Sequence, residues 1–170
     1  MPRTYTAEFN NVSVSAAQDL FVVVPTTTPK SVRMTRCVIY DVDTTAPANQ
    51  VLGVQVLVFS GATVTAGSGG TSPTIQKTDN GDAAASGFTV GANNTTEATT
   101  TGTTNIVYNG GFNIYNGFDE MFIADGSNPD GAQPIMVQSA AANGSIIVRL
   151  MTAPAAAVHL SGTIWVEEAG

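Results

Sequence analysis

The sequence predicts an all-β protein built as an antiparallel β-sandwich. Three observations carry this. Apolar residues recur at every second position, Val, Ile, Thr, Tyr and Phe dominate the ordered-looking runs, and 17 Gly and 8 Pro fall mostly between those runs. The alternation is clearest in VLGVQVLVF, where Leu52, Val54, Val56 and Val58 share one face and Val51, Gly53, Gln55, Leu57 and Phe59 the other. Both faces are largely apolar, as expected of a strand covered on two sides by a second layer or by a neighbouring subunit.

Taken in order, the first expected strands are 3–9 and 11–15. SAAQDLF at 15–21 carries the one helical signal, too short to stand without packing, and runs into a strand at 20–24. Strands 31–42 and 50–60 are the longest and flank DTTAPAN at 43–49, which reads as a broad hairpin loop and makes them the central pair. Between 61 and 104 the composition shifts to GATVTAGSGGTSPT and GANNTTEATTTGTT, and seven of the ten residues from 95 to 104 are Thr. Low complexity limits the core this stretch can supply, while Thr favours extended backbone. A strand at 86–90 interrupts it. The remaining strands are expected at 104–109, 111–118, 120–124, 134–138, 145–151 and 160–168. In 145–151, Ile146, Val148 and Leu150 oppose Ile147, Arg149 and Met151, again greasy on two sides, which contact between subunits would explain.

At 170 residues the chain is expected to form one domain, 1–170, with 1–16 as an amino-terminal arm or edge strand and 61–104 as Gly/Thr-rich extended loops. Six Lys and Arg against 13 Asp and Glu leave a net charge of −7. Nearly all of it lies in the second half, where Arg149 alone faces seven acids. Such a balance opposes binding to a phosphate backbone, so nucleic acid is not an expected partner. The longest apolar run has nine residues where a membrane helix needs about twenty, and MPRTYTAEFN lacks the apolar segment of a signal peptide. A soluble, unsecreted chain is expected. The single Cys37 forms no internal disulfide.

Reactive chemistry is sparsely provided. His159 is the sole histidine, so no two-His metal set can be assembled, and no GxSxG elbow accompanies it. A Ser-His-Asp site remains formally possible because its members need only meet in space. Cys37, in mid-strand, reads as a small buried thiol, although Arg33 and Arg36 would lower its pKa if they faced it. GSGG at 67–70 matches neither phosphate-loop pattern and reads as a flexible turn. Asp119, Glu120, Asp125 and Asp130, with Asp79 and Asp82 in TDNGD, are the oxygen ligands calcium prefers, but Pro129 breaks an EF-type loop in DGSNPDG and Asx turns explain both segments. Two carboxylates in a cleft would suit a glycan hydrolase. In FNIYNGF, Phe112, Tyr115 and Phe118 are candidates for stacking on sugar or protein if exposed, whereas Phe112, Ile114 and Phe118 would fill the core if alternating inward. Trp165 reads as packed.

The layout of QDLFVVVP, GSGGTSPT, GDAAASGFTVGANNTTEATTTGT, FNIYNGF, IIVRL with its Ala-Pro turn, and SGTIWVEE resembles that of small tailed-bacteriophage virion proteins, particularly head decoration or cement proteins. That resemblance implies a β-sandwich or jelly-roll, a homotrimer, and a position on the outer surface of the capsid, clamping major capsid subunits after synthesis in the host cytoplasm. It implies no enzyme and no cofactor. The expected partner-binding residues are Arg3, Tyr5 and Phe9 in the amino-terminal segment, offered by strand addition, together with Phe112, Tyr115 and Phe118. Deleting residues 1–9 is expected to weaken capsid binding and leave the sandwich folded. Two alternatives stay open: a tail, baseplate or fibre structural module, and a carbohydrate-binding module presenting its aromatic rings on one platform.

Overall fold

A computed structural model describes residues 2–26, 31–61, 63–122, 135–138 and 144–169. The strands, in chain order, are β1 (Arg3–Val14), β2 (Gln18–Pro25), β3 (Ser31–Asp41), β4 (Val51–Ser60), β5 (Val64–Thr65), β6 (Gln76–Lys77), β7 (Phe88–Asn94), β8 (Thr99–Thr100), β9 (Thr103–Asn113), β10 (Phe118–Met121), β11 (Ile135–Gln138), β12 (Ser145–Leu150) and β13 (Val158–Ala169). They form the antiparallel β-sandwich that the period-two patterning predicts. Sheet A runs β10-β3-β13-β1-β6, with β11 also on β3; sheet B runs β7-β2-β12-β4-β9; β5 and β8 make a small third sheet. The core lies between A and B, where Tyr5, Phe21, Met34, Ile39, Leu52, Ile146, Leu150 and Ile164 are fully buried.

Several expectations are corrected. Residues 15–21 are not helical: the strand expected at 20–24 is β2 and begins earlier, at Gln18, because the buried Gln18 and Asp19 hide its start from the apolar pattern. Strands 31–42 and 50–60 do not pair as a hairpin. β3 bonds β13, β10 and β11 in sheet A, β4 bonds β12 and β9 in sheet B, and the segment 43–49 crosses between the layers. The expected strands 3–9 and 11–15 are one strand, interrupted by a bulge between Phe9 and Val12 where Asn11 takes φ 53°. Nor is 1–16 an arm. β1 pairs with β13 along nearly its whole length and sends Tyr5, Ala7 and Phe9 into the core. On its other side it meets only the two-residue β6, so its status as a near-edge strand stands.

Much of the second apolar face of β4 and β12 is covered within the chain, while Val51 and Met151 stay exposed at its end. Val22, Leu57, Phe59 and Ile147 point away from the main core into a smaller cluster closed by Ala98, with Val24 and Val64 against it. The 61–104 stretch is therefore a partial third layer on sheet B. GSGG is a close-packed strap rather than a flexible turn. Ser68 bridges to Thr96, and Thr71 exchanges both backbone hydrogen bonds with Ala92 at 2.8 Å. A Cβ at Gly70 would lie 2.1 Å from the Ala92 carbonyl oxygen, and one at Gly67 would lie 2.3 Å from that of Thr96. Glycine is required there because two backbones touch.

One polar network fixes this layer to the sandwich. Asp19 is fully buried, and its carboxylate accepts from Arg149 Nε at 2.6 Å and from the Ala98 amide. Arg149 Nη2 donates to the Ala98 carbonyl at 2.8 Å, and Nη1 meets Glu97 at 3.1 Å. Both polar groups of Ala98 are thus satisfied by one ion pair.

Candidate functional site

Among the described residues, sheet A has no counterpart to the partial layer on sheet B. Among the described residues, no element forms a layer over its outer face, and register alone determines what that face presents. One row reads Thr6, Trp165, Arg36 and Met121 across β1, β13, β3 and β10; the next reads Glu8, Thr163, Val38 and Asp119; a third reads Thr4, Glu167 and Arg33. Tyr40 and Ser161 continue it toward the start of β13. The inward alternates on the same strands, Met34, Cys37, Ile39, Ile164 and Val166, are core.

Arg36 organises the centre of this face. Its guanidinium lies 5.0 Å from the Trp165 ring centroid and grips Asp119 with two hydrogen bonds of 2.9 and 2.7 Å. That grip holds the Asp119 carboxyl below the usual carboxylate range and keeps Arg36 more firmly charged. Arg33 and Glu167 pair at 3.2 Å beside it. The charges around Arg36 are locally matched, leaving Trp165, Val38, Tyr40 and Met121 as the apolar surface, with Tyr40 and Met121 46% and 60% exposed.

At the far end of this face, Asp43 and His159 meet in a polar cleft of about 480 Å³ lined also by Asn10, Asn11, Val42 and Thr44. Asp43 accepts from the His159 backbone N–H at 3.0 Å and lies 2.6 Å from Nδ1. An ionised carboxylate only accepts, so Nδ1 carries the proton. Ser161, two residues along the strand, donates its hydroxyl to Asn10 at 2.8 Å and accepts the Asn11 amide at 2.9 Å, so its proton is committed to Asn10 rather than to His159. The Asp43 pKa is held below the ordinary range, chiefly by the His159 amide. A depressed folded pKa stabilises the fold above the unfolded value, and that stabilisation is lost as pH falls through the folded one. Protection of the His159 amide from exchange, taken relative to the rate of an unstructured chain at the same pH, is accordingly expected to hold at neutral pH and to fall only below the usual carboxylate range; NMR exchange measured against pH checks this.

The residues singled out from sequence are dispersed. Tyr5 and Phe9 are core side chains. The Tyr5 ring meets Phe88 edge-on at 5.7 Å while its hydroxyl donates to the Ala83 carbonyl, and Phe9 packs on Phe21 at 5.1 Å. Phe112 and Phe118 are buried together, 6.2 Å apart, with Ile114 beside them, which is the core alternative for FNIYNGF. Burial removes these four rings from direct contact with a partner, because their tight packing already uses the surface a partner would need. Arg3 and Tyr115 are accessible but separate. Arg3 sits 3.8 Å from Asp82, and the half-exposed Tyr115 donates to the Pro47 carbonyl at 2.6 Å.

Other candidates resolve similarly. Cys37 is fully buried, and burial pushes its thiol well above the ordinary range, with the Asp119 charge adding to the shift. Arg36 points to the opposite face and does not activate it. Native protein is expected to resist a disulfide reagent such as DTNB over hours and to react with one equivalent once unfolded; rapid labelling of the native state would contradict the burial. Asp79 forms an Asx turn, accepting the Gly81 amide at 2.8 Å. Asp125 and Asp130 lie outside the described residues, and among the described residues no group of three His, Cys, Asp or Glu is placed to hold a metal.

The Arg36–Trp165 centre was missed in sequence because Arg36 was weighed only against its neighbour Cys37. The alternation Arg36, Val38, Tyr40 was the available signal. No family model matches the chain, and no curated protein or solved structure matches it.

Proposed function

We propose that this chain is a structural virion protein of the decoration or cement type, which binds the outside of a phage head and acts by contact. The observation that carries the reading is the asymmetry of the sandwich: among the described residues, the chain lays a partial layer over sheet B and none over the outer face of sheet A, centred on Trp165 and Arg36. Trp, Tyr and Arg are the residue types that dominate binding energy when a partner excludes water from them, and Met is enriched with them in interface cores. The ion pairs Arg36–Asp119 and Arg33–Glu167 are already complete within the chain. A shell protein can therefore seat on the Arg36–Trp165 centre without leaving either of these pairs broken, while the exposed Glu8 lies in the next row, on β1. Low overall charge and extended Thr/Gly-rich loops fit the same role, and the resemblance in layout supplies the address.

Co-sedimentation with purified empty heads tests it. Wild-type protein is expected to bind saturably, and Trp165→Ala to weaken binding about thirtyfold, as expected for loss of a hot spot of about 2 kcal/mol, with an unchanged far-UV spectrum. Binding to purified tails but not heads would favour the tail-module alternative. Binding to neither would end the reading. A carbohydrate platform is less well supported: the Arg36 guanidinium stacks over Trp165, and Phe112 and Phe118 are buried.

A further inference from the structure

We infer that β9 is a self-association edge, on which a second copy of this chain adds its own β9 to extend sheet B across a two-fold axis. The inference deepens the proposed function by naming how copies join, and it rests on separate residues. β9 ends sheet B with no strand on its outer side among the described residues. Eight of its eleven residues are exposed, including Ile106 at 57% and Val107 at 47%. A long free edge offers a row of unpaired N–H and C=O groups, and folded proteins blunt such edges by shortening, charging, bulging or covering them.

The other edges of this sandwich are treated in those ways. β10 is four residues long and carries Asp119 and Glu120; β6 has two residues; β1 is bulged at Asn10–Asn11; β7 is strapped by Thr71 through paired bonds to Ala92. β9 has a bulge opposite Val56 and Leu57, but the bulge leaves Ile106 and Val107 in solvent rather than replacing them with charge. Neither β9 nor its neighbour β4 contains an Asp, Glu, Lys, Arg or His. The nearest acid along the inner side, Glu120, accepts the Tyr108 hydroxyl at 3.0 Å.

Those features select the occupant. On a protein of net charge −7, an uncharged strip is where a second, equally acidic copy meets least repulsion. What the edge recognises is an extended backbone, and the chain itself supplies one. A ring of three would need β9 to join a different edge of the next copy, and the other edges among the described residues, the four-residue β11 included, are short, charged, bulged or strapped. Pairing of β9 with β9 is isologous and closes at two. This geometry departs from the trimer that the resemblance implies.

Light scattering coupled to size-exclusion chromatography is expected to give twice the 17.4 kDa chain mass for wild type. The double variant Ile106→Lys/Val107→Lys is expected to run as a monomer with an unchanged far-UV spectrum, its dissociation constant raised at least a hundredfold. Amide exchange in wild type should slow with concentration within 103–113. A wild-type monomer at high concentration, a trimer, or a dimer indifferent to the two lysines with no protection in 103–113 would each overturn the inference. Should the double variant misfold, exchange on wild type decides alone. Failure here is separable from failure of the head-binding reading: a monomer that binds heads ends only this inference, and a β9 dimer that binds none ends only the other.

Discussion

Replacing Asp19 by Ala is expected to destabilise the protein by about 3–5 kcal/mol, the cost of removing one partner from a buried ion pair. The estimate is high because the loss is threefold. Arg149, with its side chain only 13% exposed, keeps its charge and loses its closest acceptor. The Ala98 amide loses its acceptor as well, and Arg149, the donor to the Ala98 carbonyl, is then anchored by the more exposed Glu97 instead of the buried Asp19. Replacing both charged residues with apolar ones, as in Asp19→Leu with Arg149→Met, often restores stability where a pair is isolated. Here it is expected to fall short, since both backbone groups of Ala98 would face an apolar wall. The released segment is the layer over Leu57, Phe59 and Ile147, so the variant should also bind a dye such as ANS more strongly than wild type does. Urea unfolding of the two variants beside wild type measures both effects. A double variant as stable as wild type would show that Ala98 finds other partners.

The same network explains where the sequence was readable and where it was not. Period-two alternation located β3, β4, β12 and β13 within two residues, because each buries several apolar side chains on at least one face. It found β2 at 20–24 but not its first two residues, which are buried polar groups satisfied by residues far away in sequence: Asp19 by Arg149 and Ala98, and Gln18 by Asn93. It failed again at the 43–49 connection, since a loop that turns back within a sheet and one that crosses to the opposite sheet look alike in composition. The glycines at 67–70 carried a signal, but close approach of two backbones and local freedom of one produce the same residue choice. At the candidate contact face the missing information was pairwise. Arg36, Asp119 and Trp165 lie on three strands, and only register brings them together.

The amino-terminal strand shows what that difference costs experimentally. Deletion of residues 1–9, expected from sequence to be harmless to the fold, is now expected to abolish folding at ordinary temperature. The truncated chain would lose seven consecutive ladder positions against β13, from Arg3–Glu168 to Phe9–Gly162. It would also lose Tyr5, Ala7 and Phe9 from the core. Truncating one buried Phe costs about 3–5 kcal/mol, and a whole domain has about 5–15 kcal/mol in hand. Two such rings and a ladder together exceed most of that range. The fit of Phe9 makes the same point locally: Gly162 lies directly beneath its ring, and a Cβ there would approach within 2.7 Å. Gly162→Ala should therefore destabilise by about 1–3 kcal/mol through overpacking, and pairing it with Phe9→Leu should recover part of that loss by vacating the notch. Circular dichroism and thermal melts of the three variants check the ranking. A truncated protein that melts cooperatively near the wild-type temperature would mean that β13 is satisfied without β1, and that the first nine residues are free to serve a partner after all.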